Sequence, residues 1–126
     1  MDESLLRTIS EVEHDHWWFV VRRRIVTDAL ERLPLPADAD VVEVGCGSGG
    51  TLAHLAKRHP RWKVTGVEPS RAVADVARSR GCTVLEGALP HLDLEDGCAD
   101  CVIALDVLEH CAHDVAAARE MARVLR

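Results

Sequence analysis

The apolar positions of this 126-residue chain keep one rhythm up to residue 33 and another beyond it. Leu5, Leu6, Ile9 and Val12, then Trp17, Val20, Val21, Ile25, Ala29 and Leu33, recur every three or four residues. That period predicts helix from Glu3 to Leu33, interrupted near His14 to His16 and closed by Pro34 and Pro36. Beyond the prolines, short β-branched runs alternate with helical patterns. Val41-Val42-Glu43-Val44 ends at a glycine, as a buried parallel strand does, and a helix from about Gly50 to His59 is stopped by Pro60. A second strand covers Lys63 to Glu68, and Pro69 and Ser70 open a helix through Arg80 that Gly81 ends. The third strand covers about Cys82 to Leu85 and the fourth Asp100 to Leu105, with an acidic loop containing Gly97 between them. Asp114 is expected to cap a last helix with Val115, Ala118, Met121, Ala122 and Leu125 on one face. Repeated strand-helix alternation predicts an α/β fold, a doubly wound parallel sheet with helices on both faces. Residues 1–36 then form an N-terminal helical cap and residues 37–126 the α/β domain.

Composition narrows the partners. Lys and Arg total 15 against 21 Asp and Glu, a formal charge of −6, which argues against a broad grip on nucleic acid or an anionic membrane. No apolar run approaches the roughly 20 residues of a membrane helix. Met1-Asp2-Glu3-Ser4 is acidic where a secretory signal is basic, so a cytoplasmic chain is expected. The Arg22-Arg23-Arg24 run reads as a solvated face. Five cysteines make an odd set, unlike a disulfide framework. Cys98-Ala-Asp-Cys101 with Cys111 and His113 holds the donor types of a zinc site. Because Cys101 opens the fourth strand, reduced structural thiols and no metal are expected.

Chemistry concentrates in Glu43-Val-Gly45-Cys46-Gly47-Ser48-Gly49-Gly50, between the first strand and its helix. Glycines there let the backbone turn tightly and approach a ligand, and the free N–H groups of the helix start favour a polar or anionic group. Glu68 ends the second strand 18 residues beyond Gly50, where a carboxylate can accept hydrogen bonds from both hydroxyls of a ribose. Gly45-x-Gly47-x-x-Gly50 satisfies the dinucleotide fingerprint, while Glu43-x-Gly45-x-Gly47-x-Gly49 satisfies that of class I S-adenosylmethionine-dependent methyltransferases. Glu43 favours the second, because a carboxylate inside a strand is costly to bury without a cationic partner and would repel a pyrophosphate.

Downstream stretches resemble the same family. Asp96-Gly-Cys-Ala-Asp100-Cys-Val-Ile-Ala-Leu-Asp-Val-Leu-Glu-His110 and Arg119-Glu-Met-Ala-Arg-Val-Leu-Arg126 are similar to its fourth strand, Leu-Glu-His turn and following helix. Glu13-His-Asp-His-Trp17-Trp18-Phe19-x-x-Arg22-Arg23 resembles the entry helix of one branch. The resemblance implies a Rossmann-like fold and S-adenosylmethionine as cofactor. It further implies that Glu43 and the backbone of Gly45, Cys46, Gly47 and Gly49 hold the methionine portion. Glu68 would take the ribose hydroxyls, Pro69 and Ser70 would flank the adenine, and the backbone of Gly87 and Ala88 would border its edge. Leu105 and Asp106 would lie beneath the methionine and sulfonium, with Trp17, Trp18 and Arg22 covering the cofactor. The family's usual acid near the adenine amino group is absent at Gly87-Ala88, and Ala99 stands where an aromatic residue is usual.

The function so implied is methyl transfer to a small-molecule acceptor. His110 is the candidate general base, since histidine titrates near neutrality. A cofactor-binding unit without catalysis is the alternative, and an NAD-dependent oxidoreductase the next. Against the family pattern, the chain stops before a Pro-Gly-Gly turn and further strands. The fourth strand is therefore expected at an unprotected sheet edge, where copies of the chain could associate.

Overall fold

The computed structural model describes residues 3–126. They fall into two compact units, the first ending at Leu35 and the second Pro36–Arg126. In the first unit the single helical rhythm becomes two helices, α1 (Glu3–Val12) and α2 (Trp17–Glu31). Their turn is held by side chains. The backbone N–H of Trp18 donates to Nδ1 of His16, the N-cap residue of α2. Arg23 donates to the carbonyls of Glu13 (2.7 Å) and His14 (2.9 Å), taking acceptors left at the end of α1. The expectation that Arg22, Arg23 and Arg24 form one solvated face is thus corrected: Arg23 clamps the turn, and of the three only Arg24 is exposed. Leu6, part of the predicted apolar face, has a side chain outside the described set.

The second unit is built from β1 (Asp40–Val44), α3 (Gly50–Arg58), β2 (Lys63–Glu68), α4 (Arg71–Ser79), β3 (Thr83–Glu86), β4 (Cys101–Ala104) and α5 (Asp114–Val124). A one-turn 3-10 helix, Leu108–His110, precedes α5. The four strands form one parallel sheet in the order β3-β2-β1-β4, with Glu43 in register with Gly66 on one side and Ile103 on the other. The order steps outward from β1 in both directions, so the ends of β1, β2 and β4 converge at one rim. Helices start and stop where the local chemistry dictates. Ser70 Oγ accepts from the N–H of Val73 at the start of α4, and Gly81 follows its end at φ 86°.

Apolar side chains fill both faces of the sheet. Cys46, Leu52, Ala74, Ala77 and Val84 pack beneath α3 and α4. Val42, Val44, Val67, Leu92, Ala99 and Val124 form the opposite cluster beneath α5 and the preceding loop. Two sequence expectations change in α5. Asp114 is its first residue rather than its N-cap, a place where a carboxylate still complements the helix dipole. The face expected to pack, Val115, Ala118, Met121, Ala122 and Leu125, is largely exposed, and Ala117 and Val124 are the buried residues.

Glu120 and Arg123 tie α5 to the loop before β4. Glu120 Oε1 accepts from the N–H of Leu92 (2.8 Å), while Arg123 donates to the carbonyls of Leu92 and Leu94 and to Asp96 and Glu120. Hydrogen bonds from Arg123, then from Leu92, hold the Glu120 carboxyl down at about 2 from its usual 4.5. A carboxylate depressed in the folded state stabilises the fold above its unfolded pKa and loses that contribution as protons bind. Stability should therefore fall as pH drops from about 4.5 toward 2. Asp100 adds to the same trend, its carboxyl lowered by the N–H of Asp40 and then by Arg126. Glu120→Gln should lower stability near neutrality by about 1 kcal/mol and flatten the acid slope. Circular dichroism melts across that range measure both; an unchanged acid slope would show that the Glu120 carboxylate is not its source.

At the sheet's edge, β4 pairs only with β1 among the described residues. Just before it, Ala99 makes a parallel bridge with Leu125, the N–H of Ala99 donating to the carbonyl of Val124 and that of Arg126 to the carbonyl of Ala99. The bridge lies just before the strand; among the described residues no strand pairs with Cys101–Ala104 on the side away from β1.

Candidate functional site

The loop between β1 and α3 carries Gly45, Gly47 and Gly49 at φ 70°, 56° and 84°, the left-handed region that favours glycine. At Gly45 space is also limiting, since a Cβ there would lie 2.6 Å from Cγ2 of Val107. A Cβ on Gly47 would meet nothing within 4 Å, so this glycine faces open space at the rim. The N–H groups of Gly45 and Cys46 both donate to the carbonyl of Val67, fastening the loop to β2.

Two buried carboxylates flank this loop. Glu68 closes β2 with 8% of its surface exposed; its Oε2 accepts from the N–H of Gly47 and its Oε1 from the N–H of Ser70, each at 3.0 Å. A carboxylate offers about four acceptor positions, so a further hydrogen bond to each oxygen is left available. Glu43, inside β1, is 3% exposed. Its Oε2 is sealed from solvent without a hydrogen bond, although the side chain as a whole does interact with its surroundings. Their charge reaches Cys46: burial first, then Glu43 and Glu68, pushes its thiol up to about 12. Cys46 is therefore a neutral packing residue of the loop and not a nucleophile.

The other candidates of this unit gather at the same rim. Pro69 and Ser70 lead from β2 into α4, and the N–H of Gly87, after β3, donates to the carbonyl of Glu68, with Ala88 next along. Leu105 and Asp106 follow β4, Asp106 exposed and at φ 54°, an uncommon conformation for a residue with a side chain. His110 is exposed at the end of the 3-10 helix. Trp17, Trp18 and Arg22 belong to α2 of the first unit, where both tryptophans are exposed and Arg22 is half-buried. Cys98 is half-buried and Cys101 buried in β4, where burial and then Asp100 raise its thiol pKa.

Three residues that shape the glycine loop escaped sequence reasoning. Gly66 lies in the interior of β2, and a Cβ there would fall 2.5 Å from both Cys46 Sγ and Leu52 Cδ1. An isolated glycine within a strand signals such close approach. Val107 seats against Gly45, and Arg80, just past α4, donates from Nη1 to the carbonyl of Ser48 at 3.1 Å. Nothing in their spacing marks either.

The donor set suits an adenosine-bearing cationic amino acid. A buried acid with acceptor capacity stands at the end of β2, the left-handed Gly47 borders open space, and a second acid lies buried within β1. Comparison with known proteins shows the family. Residues 42–126 match the sequence profile of the family described as methyltransferase domain. A trans-aconitate 2-methyltransferase of Variovorax paradoxus is 44% identical over 59 residues, 47% of this chain and 23% of that protein. Thus the chain spans about a quarter of the length of the curated relatives it matches. An S-adenosylmethionine-dependent methyltransferase of Thermotoga maritima superposes with a TM-score of 0.66 at 25% identity, covering 94% of this chain and 55% of the other. A protein of Methanococcus maripaludis assigned to the same class gives 0.87 at 16% identity over 99% and 59%, a likeness of fold. Between the two readings left open by the glycine loop, these matches select the methyl-transfer one. The chain belongs to the methyltransferase domain family and has a Rossmann-like α/β fold.

Proposed function

We propose that residues 36–126 hold S-adenosylmethionine at the rim formed by Gly45–Gly50, Glu68 and the turn after β4, and serve methyl transfer to a small-molecule acceptor. One observation carries this reading: Glu68 is buried at the end of β2 and fastened by the N–H groups of Gly47 and Ser70, with acceptor capacity to spare. Its oxygens would take the ribose hydroxyls, while Glu43 would balance the cofactor's positive charge and the Gly45, Cys46, Gly47 and Gly49 backbone would hold the methionine portion. Pro69 and Ser70, with Gly87 and Ala88, would bound the adenine, and Leu105 and Asp106 the sulfonium end. When bound, the cofactor supplies a methyl group already activated by its sulfonium. The chain's own part is alignment and exclusion of water, with His110 available to take a proton from the acceptor.

Titration calorimetry tests the cofactor site. Micromolar affinity for S-adenosylhomocysteine with no response to NAD is expected, and the reverse result overturns the reading. Methyl transfer is then assayed with labelled S-adenosylmethionine, beginning with trans-aconitate because relatives are named for it. Binding without transfer to any acceptor would favour the alternative of a cofactor-binding unit. Trp18→Ala and Arg22→Ala in the same titration measure what the first unit contributes. Because β4 is an edge strand among the described residues, this edge is also a place for two copies to associate. Sedimentation velocity should show concentration-dependent self-association; a monodisperse monomer throughout would remove that proposal.

A further inference from the structure

Glu68 holds the glycine loop from its N–H side, taking Gly47, and a second group holds it from its carbonyl side. Arg80 lies at the end of α4, 32 residues along the chain from Ser48, yet its Nη1 reaches the Ser48 carbonyl. Ser48 directly precedes Gly49, the N-cap of α3. A guanidinium is misplaced beside the positive end of a helix unless an acceptor draws it there. The Ser48 carbonyl is one such acceptor. Its bond to a permanent cation is of the stronger, charge-assisted kind. Cys82 reinforces the same side, its Sγ lying 3.7 Å from the carbonyl of Gly49.

We infer that Arg80 is a positioning residue of the cofactor site: by holding the Ser48 carbonyl it keeps the Gly47–Gly50 backbone in the shape that binds. The inference rests on the proposed cofactor site, but the loop's own order gives a readout that needs no ligand. Arg71 is the control. Its side chain is 81% exposed and its pairing with Glu86 is long, at 3.9 Å.

Arg80→Met, Arg80→Lys and Arg71→Met are compared with the unmodified chain. Without ligand, hydrogen exchange of peptides covering residues 45–53 should quicken in Arg80→Met, stay near normal in Arg80→Lys and be unchanged in Arg71→Met. S-adenosylhomocysteine affinity should fall about tenfold in Arg80→Met, with most of it recovered by lysine. Unchanged loop exchange in Arg80→Met, or the same quickening in Arg71→Met, overturns the inference whatever the chain binds. Quicker exchange with undiminished affinity overturns it as well. Failure of the unmodified chain to bind S-adenosylhomocysteine instead overturns the proposed cofactor site and leaves the exchange result to decide whether Arg80 orders the loop.

Discussion

Glu68→Ala should weaken S-adenosylhomocysteine binding by two orders of magnitude or more. Two hydrogen bonds to a charged acceptor are worth about 1.5–3 kcal/mol each, so losing both costs about 3 kcal/mol or more, roughly 100-fold or greater in affinity. The same change withdraws the acceptor from the N–H groups of Gly47 and Ser70, so the loop and the start of α4 loosen together. Glu68→Gln separates the two effects in part, since it keeps one of the two backbone hydrogen bonds. Its amide keeps one oxygen for a backbone N–H but turns the other position into a donor, which cannot accept from a hydroxyl. Calorimetry on both variants, with denaturation midpoints measured in parallel, should show alanine losing affinity and both backbone hydrogen bonds, and glutamine losing affinity with a smaller drop in stability, since one of the Gly47 and Ser70 N–H groups then meets a donor. Affinity within threefold of the unmodified chain for both, about 0.6 kcal/mol, would remove Glu68 from the site.

How much of this was readable beforehand depends on where each constraint lies. The left-handed β1–α3 loop and the strand-end position of Glu68 are legible in the sequence because their requirements are local: left-handed backbone demands glycine, and Glu68 closes a short β-branched run before Pro69. The helix and strand order followed from Pro and Gly punctuation around short β-branched runs. The packed face of α5 did not, and the cause is its composition. Val115 to Ala118, Met121, Ala122, Val124 and Leu125 place apolar groups nearly all round, so periodicity selects no side. Rotation is set instead by the N–H of Gly97 on the Arg123 carbonyl and that of Ala99 on Val124. Arg23 was hidden for a related reason. Within a run of three arginines the charge pattern is uniform, and only the turn after α1 singles out the one that meets the Glu13 and His14 carbonyls. Arg80 and Val107 act on the glycine loop from distant segments, and no local rule reports such contacts.

Gly66 is where the sheet, the helix layer and the loop meet, and Gly66→Ala should damage all three. Its backbone lies outside the left-handed region, so alanine brings no dihedral strain and the added methyl acts by volume alone. That methyl would sit 2.5 Å from Cys46 Sγ and from Leu52 Cδ1, and 3.0 Å from Cys46 Cβ. Neither neighbour can retreat easily. Leu52 is 2% exposed within α3, and Cys46 is held by its N–H bond to the Val67 carbonyl. Overpacking of this kind costs about 1–3 kcal/mol. Relief can come only by lifting α3 from β2 or by pushing Cys46, and with it the loop, toward the rim. Both movements disturb Gly47, so S-adenosylhomocysteine affinity should fall together with the denaturation midpoint. The double variant Gly66→Ala, Leu52→Ala isolates the cause. Leu52→Ala alone leaves a cavity and costs about 2–5 kcal/mol, but in the double variant the new methyl occupies part of that space. The combined loss should therefore be smaller than the sum of the single losses by more than about 0.5 kcal/mol. Strict additivity, or a midpoint that Gly66→Ala leaves untouched, would mean that the close approach of β2, α3 and Cys46 is not what requires glycine at this position.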